Sequence, residues 1–186
     1  NKALQDGRLA EAEAFFGLAL EAGETCQPGG SSSIAEASFF LSQVKYRLGD
    51  WDSAERLTRR AMGIWNDTAG SESMPVASCL NNLGRIYEER GLLDEGIMFH
   101  RASLEMRRKI FGDHVETAFA LGNLGTALAT NGEWEEAATV LAECIDLYTR
   151  MGVTAGVQLD GYRHNLEVCL KALADHFNFP LSRGKA

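Results

Sequence analysis

Apolar positions along the chain recur at intervals of three and four residues, which places them on one face of an α-helix. Two adjoining segments show this spacing through Leu80, Leu83, Ile86 and Tyr87, and then Ile97, Phe99, Leu104 and Met106. No segment shows the period of two that is typical of a strand. We therefore predict an all-α protein with helices at about 1–6, 9–23, 33–48, 52–66, 75–90, 93–109, 115–130, 134–150 and 155–175.

Four glycines mark a repeat along the chain. Gly7, Gly49, Gly91 and Gly132 follow one another at intervals of 42, 42 and 41 residues. Each lies between two amphipathic segments, and glycine ends a helix in the left-handed conformation without a steric penalty. The pattern predicts one unit used four times, a pair of antiparallel helices joined by a tight turn at the glycine.

Small residues recur at fixed distances from these marker glycines. Five residues after each marker come Ala12, Ala54, Gly96 and Ala137, and seven residues before the last three come Ser42, Gly84 and Gly125. Small side chains at matched positions on two segments predict that the two helices of a pair approach closely there.

The residues around these positions resemble a known family. The stretch LNNLGRIYEERGLLDEGIMFHRASLEMRRKIFGDHVETA, followed by LGNLGTALATNGEWEEAATVLAECIDLY, resembles tetratricopeptide repeats of the long kind found in kinesin light chains. In that family a repeat begins with a phrase like L-N-N-L-A and its linker carries a phrase like G-x-x-H-P. Here the linker from Phe111 to His114 lacks the proline and is one residue short, which accounts for the interval of 41. The resemblance implies a right-handed superhelical solenoid of antiparallel helix pairs.

On this basis we expect one solenoid domain over residues 1–175, followed by a C-terminal tail at 176–186. Its repeats are expected at about 1–32, 33–73, 74–114 and 115–153, with a final helix at 154–175. The first repeat lacks most of its leading helix. We expect this to expose Leu4, Leu9 and Phe16 and so to permit homo-association through a solenoid end.

The family resemblance also implies a function. Such repeats act as non-catalytic scaffolds that bind an extended peptide of a partner protein in a concave groove lined by the first helix of each pair. Asn82, Asn123 and Asn165 fall in register on those helices, and a side-chain amide can donate to and accept from a peptide backbone. Alternatively, these amides cap neighbouring loops or bond to the next repeat. The alternative function is a sensor segment of a larger signalling or transcriptional regulator.

Helical geometry adds groove candidates one turn away from the asparagines. They are Phe39, Gln43, Tyr46, Arg47, Asn81, Arg85, Glu88, Glu89, Phe119, Thr126, His164, Val168 and Lys171. Phe39 and Phe119 fit a core role as well as they fit a groove role. Arg85 could bind a ligand carboxylate through its guanidinium fork, or it could pair with Glu88 or Glu89 on its own helix.

The charge balance restricts the partners. The chain has 26 acidic and 18 basic side chains, which gives a formal net charge of -8 and disfavours nucleic acid. Groove-side helices carry balanced charges, so the ligand need not be strongly basic or acidic. No apolar run approaches the roughly 20 residues of a membrane helix, so no membrane insertion is expected.

The cysteines and histidines do not indicate a metal, a cofactor or catalysis. Cys26, Cys79, Cys144 and Cys169 are far apart, and we interpret them as packing thiols suited to a reducing, cytoplasmic setting. The histidines lack a partner ligand at helical spacing, and the Ser31–Ser33 run precedes a helix, where serine is typical of a cap. We expect no cofactor, no metal site and no enzymatic activity.

Overall fold

The structure is a computed structural model that describes residues 2–26 and 31–177. Within these ranges the chain forms eight helices and no strand, which confirms the all-α prediction: α1 (Lys2–Cys26), α2 (Ser32–Arg47), α3 (Trp51–Ala69), α4 (Met74–Glu89), α5 (Leu93–Phe111), α6 (Val115–Thr130), α7 (Trp134–Arg150) and α8 (Val157–Phe177).

The helices belong to two compact units. Unit 1 extends to Ile110 and contains α1 to α4 and all of α5 except its last residue, and unit 2 begins at Phe111 and contains α6 to α8. Most of the predicted tail, residues 178–186, lies outside the described residues. A single right-handed superhelical domain stays a prediction.

Three of the four marker glycines form the same tight turn. Gly49, Gly91 and Gly132 have positive φ angles of 78°, 76° and 83°. After each glycine, the next amide donates to a carbonyl five residues earlier, at 3.0 Å (Asp50 N to Lys45 O), 3.0 Å (Leu92 N to Tyr87 O) and 2.9 Å (Glu133 N to Leu128 O). This bond closes the end of the first helix in each pair. The predicted helix pairs α2/α3, α4/α5 and α6/α7 are confirmed.

The fourth marker behaves differently. α1 runs without a break from Lys2 to Cys26, so the predicted turn at Gly7 between helices at 1–6 and 9–23 is wrong. Residues on both sides of Gly7, such as Gln5 and Arg8, are good helix formers. A glycine inside a helix costs only about 1 kcal/mol relative to alanine, so the flanking preference is sufficient to carry the helix through.

Polar side chains start several of the helices. Ser31 Oγ accepts from the backbone amide of Ile34 at 3.4 Å, and Asp50 Oδ1 accepts from that of Ser53 at 3.2 Å. The hydrogen bonds from Ser53 hold the pKa of Asp50 below its ordinary value. A cap satisfies an amide that has no partner inside its own helix. The predicted capping role of the serine run is thus confirmed at Ser31.

The two helices of each pair approach closely at the predicted small residues. Ala54 and Ala137 are both fully buried. A Cβ atom added to Gly84 would lie 2.6 Å from His100 Nε2, and one added to Gly125 would lie 2.6 Å from Leu141 Cγ. His100 lies on the second helix α5 and is buried, because its ring fills the space above Gly84.

The buried cysteines fill packing positions. Cys79 lies in the core of unit 1 with Ala35, Ala61, Trp65 and Val76, and Cys144 is fully buried in unit 2. Burial raises the pKa of both thiols to about 12. The interpretation of these residues as packing thiols is confirmed, whereas Cys26 is exposed.

Candidate binding faces

The first helices of unit 1 present a polar cluster that contains several predicted groove residues. We call it the unit 1 face, formed by Gln43, Tyr46 and Arg47 of α2 with Arg85 and Glu89 of α4. Tyr46 is at its centre: its hydroxyl donates to Glu89 Oε1 at 2.9 Å, and the Arg85 guanidinium carbon lies 4.4 Å from the centroid of its ring. A cation over an aromatic ring is attracted to it, so Tyr46 joins the two helices through two different contacts.

This geometry shows how Arg85 is paired within the chain. Arg85 is exposed, and within the described part of the chain it pairs with neither Glu88 nor Glu89, the alternative that the sequence left open. Glu88 instead lies 3.4 Å from the ring of His100. The ring of Tyr46 positions the exposed Arg85 side chain on this face.

Burial affects the chemistry of Tyr46. Desolvation raises the pKa of its hydroxyl, and the nearby Arg85 opposes this shift. Tyr46 therefore remains a neutral hydrogen-bond donor around neutral pH. Next to it, Gln43 is half-buried and Arg47 is exposed.

Asn82 does not reach this face. Its side chain is buried, and its Nδ2 donates to Ser42 Oγ at 3.0 Å and to Thr58 Oγ1 at 2.9 Å. The structure thus shows the alternative interpretation of Asn82, a bond to the neighbouring repeat. Asn81 is buried as well.

Phe39 has a core role in unit 1. Its ring packs edge-on against Trp65 at a centroid distance of 5.5 Å and is half-buried. The aromatic residue therefore supports α2 against α3 from inside the unit.

The first helices of unit 2 form a second surface, which we call the unit 2 face. Asn165 Nδ2 donates to Thr126 Oγ1 at 3.0 Å, and Thr126 donates to the Gly122 carbonyl at 2.8 Å. A cavity of about 200 Å³ is lined here by Thr126, Ala129, Thr130, Trp134, Asn165 and Val168. The structure brings three predicted residues, Thr126, Asn165 and Val168, to one site.

Sequence reasoning missed Ala129, Thr130 and Trp134 among the lining residues, and Trp134 is the largest of the three. A signal for it exists, since Trp51 and Trp134 both follow a marker glycine by two residues. An aromatic at this register position borders the turn between the two helices of a pair.

Asn123 is occupied within unit 2. Tyr162 donates to Asn123 Oδ1 at 3.3 Å, and its ring lies over Gly122. The ring of Tyr162 also stacks with that of Tyr148 at a centroid distance of 6.3 Å, and burial raises the pKa of Tyr162. Asn123 therefore joins α6 to α8.

The remaining candidates of unit 2 are spread along its helices. His164 and Lys171 are exposed on α8, outside the lining of the 200 Å³ cavity, and Phe119 is half-buried on α6. The cavity of the unit 2 face is therefore lined by only some of the residues predicted for this region.

The described residues contain no group of three or more histidine, cysteine, aspartate or glutamate side chains that could hold a metal ion. Nor does any helix in the described ranges combine the length and the apolar character needed to cross a membrane.

Three helix pairs with one turn geometry and matched crossings define a helical repeat protein. The model of the tetratricopeptide repeat family matches residues 33–95 and 76–150. The chain belongs to the tetratricopeptide repeat family. No curated protein matches its sequence significantly.

Several solved structures share the fold. A Podosopora anserina protein with nearly identical TPR-like repeats, assigned as a kinesin light chain, superposes with a TM-score of 0.76 at 17% identity, covering 93% of this chain and 82% of that chain. BtubC (BKLC) from P. vanneervenii gives a TM-score of 0.71 at 18% identity, with coverages of 98% and 80%. The apo form of RapI gives 0.77 at 14% identity, covering 94% of this chain and 46% of that chain.

Family membership sets the general class of function. Tetratricopeptide repeats bind protein partners and are typically non-catalytic, so the chain is a protein-interaction scaffold. The resemblance to kinesin-light-chain repeats that the sequence predicted is confirmed.

Proposed function

We propose that the chain binds an extended segment of a partner protein on the first helices of its repeats, with the unit 1 face as the main contact. The observation that carries this proposal is the arrangement of Tyr46, Arg85 and Glu89. These residues come from two helices, yet they are fixed by a 2.9 Å hydrogen bond and a 4.4 Å cation–π contact. A face whose side chains are already ordered loses less conformational entropy on binding.

The chemistry of this face favours an extended peptide of mixed polarity. The exposed guanidinium of Arg85 suits a carboxylate of the partner, and the half-buried amide of Gln43 can both donate to and accept from a peptide backbone. Arg47 and Arg85 are balanced by Glu88 and Glu89 on α4, so no strongly charged ligand is required. The alternative of a sensor segment within a larger regulator stays a prediction.

The experiment is a selection from a displayed library of random twelve-residue peptides, followed by affinity measurements with the selected peptides. Arg85→Ala should weaken binding about tenfold or more, since a hydrogen bond to a charged group is worth about 1.5–3 kcal/mol. Arg56→Ala is the matched control, because Arg56 is also exposed but lies on the second helix α3. Equal affinities for wild type and Arg85→Ala would show that the unit 1 face is not the binding surface.

A further inference from the structure

Unit 2 contains a second and larger cavity, which we call the Trp134 cavity. It has a volume of about 800 Å³ and is lined by Gly132, Glu133, Trp134, Glu135, Glu136, Ala172, Leu173, Asp175 and His176. This volume falls in the range of cavities that take up ligand groups, about 300–1,000 Å³. It lies where the turn between α6 and α7 meets the last turn of α8.

One part of the cavity wall is apolar and aromatic. Trp134, Ala172 and Leu173 are each half-buried, so their indole and aliphatic surfaces remain partly open. An indole is the strongest aromatic acceptor for a cation, and a flat guanidinium can also stack on it. The apolar wall thus suits a side chain with a long aliphatic stem and a cationic end.

The ionisable residues of the lining are mostly acidic, with His176 as the one basic residue among them. Four of its residues are acidic and none is lysine or arginine; Lys171, although adjacent in sequence to Ala172, is not part of the lining. Within the described residues, the carboxylates of Glu135 and Asp175 take part in no hydrogen bond or ion pair. Both are therefore available to a cation.

The position of Asp175 adds an unfavourable interaction that a cation would relieve. Asp175 lies in the last turn of α8, which ends at Phe177. The carbonyl end of a helix carries partial negative charge, so an acid there is repelled, whereas Glu135 in the first turn of α7 is favoured. The α8 side of the cavity thus combines the negative helix end with a carboxylate.

From this combination we propose that the Trp134 cavity binds an arginine side chain of a partner protein. The guanidinium stacks on the indole of Trp134, and its N–H groups donate to Glu135 and Asp175. This site shares no residue with the unit 1 face. Arginine binding in the Trp134 cavity is therefore independent of peptide binding on the unit 1 face.

The test is a titration of the ¹⁵N-labelled chain, followed by NMR through the indole N–H signals of its three tryptophans. The probe is the peptide acetyl-Gly-Arg-Gly-Arg-Gly-amide, and the control probe carries neutral citrulline in place of each arginine. Trp134→Phe assigns the Trp134 signal. We expect the arginine peptide to shift the Trp134 signal until it saturates and to leave the Trp51 and Trp65 signals unchanged. The citrulline peptide should shift none of the three signals.

Paired variants then test the carboxylates. Glu135→Gln combined with Asp175→Asn should weaken binding of the arginine peptide about tenfold or more, because both charge-assisted bonds become neutral. Glu167→Gln, an exposed acid of α8 outside the cavity, should bind as wild type does. Because Trp51 and Trp65 lie in unit 1, the folding of unit 2 in each variant is verified by the Trp134 signal of the free protein and by an unchanged helical circular dichroism spectrum.

Three results would overturn the proposal: a Trp134 signal that does not move, an equal shift with the citrulline peptide, or undiminished binding by the double carboxylate variant. None of them bears on Arg85, so failure here is separate from failure of the unit 1 face.

Discussion

Asn82 in unit 1 and Asn165 in unit 2 stand at the same position of the repeat but do different things. Asn82 is buried and donates to two hydroxyls, those of Ser42 and Thr58. Asn165 is half-buried and donates to one hydroxyl, that of Thr126. A shared register therefore does not give the two amides a shared role.

The preceding helix pair explains the difference. Ser42 and Thr58 lie 40 and 24 residues before Asn82, and the same distances before Asn165 lead to Gly125 and Leu141. Neither of these has a hydroxyl, because Leu141 packs against Gly125 at an apolar crossing. The amide of Asn165 therefore bonds to Thr126, nearer the surface.

Comparing the units shows how a repeat varies without losing its fold. The crossing between paired helices is filled by a polar pair in α2/α3, by Gly84 and His100 in α4/α5, and by Gly125 and Leu141 in α6/α7. In each case a small residue on the first helix faces a residue on the second. Asn82 is buried because the crossing before it offers two hydroxyls, whereas Asn165 is only half-buried because the crossing before it offers none.

The largest effect is expected at the apolar crossing. Leu141→Ala should lower the free energy of unfolding by about 2–5 kcal/mol, because it leaves a cavity above Gly125. Thr58→Ala, its counterpart in unit 1, should cost about 1–3 kcal/mol by leaving an amide hydrogen of Asn82 without an acceptor. Urea denaturation followed by circular dichroism measures both. A loss below about 1 kcal/mol for Leu141→Ala would contradict the description of the Gly125–Leu141 crossing as tightly packed and apolar.

An intermediate effect is expected at the asparagines themselves. Asn82→Ala should cost about 1–3 kcal/mol through two buried hydrogen bonds, and Asn165→Ala less than about 1 kcal/mol, since water can replace its single bond. The same denaturation measurement applies to both variants. Equal losses would mean that burial does not distinguish the two amides.

The smallest effect is expected in the labelling rates of the buried thiols. Cys79 lies in unit 1 and Cys144 in unit 2, so their rates compare local opening of the two units in the native protein. Because burial raises the pKa of Cys79 and Cys144 from 9.0 to about 12, almost no reactive thiolate forms at pH 8. Their slow labelling by an aromatic disulfide reagent should report local opening of unit 1 and unit 2, with exposed Cys26 as the fast control.

The sign of the pH effect on these thiols follows from the raised pKa. The folded state favours the protonated thiol, so the stability associated with it is complete below the ordinary pKa of 9.0 and is lost as the pH rises toward about 12. Rapid labelling of Cys79 or Cys144 at the rate of Cys26 would contradict their burial.

Periodicity in the sequence predicted most of the fold and only part of the binding faces. The turns at Gly49, Gly91 and Gly132 follow from local chemistry, since glycine adopts positive φ without strain. The faces depend on neighbours that are distant in sequence, so Tyr46 and Arg85 were proposed singly, and their contact was not foreseen.

By itself, the sequence determined the helix pairs, their turns and the positions where paired helices cross, because these depend on spacing and side-chain size within about 40 residues. Tertiary structure alone decided that Asn82 is buried and that Trp134 borders two cavities. The physical reason is that a side chain's hydrogen bonds and exposure depend on which atoms of the adjoining helices face it, and periodicity specifies only the position at which they meet.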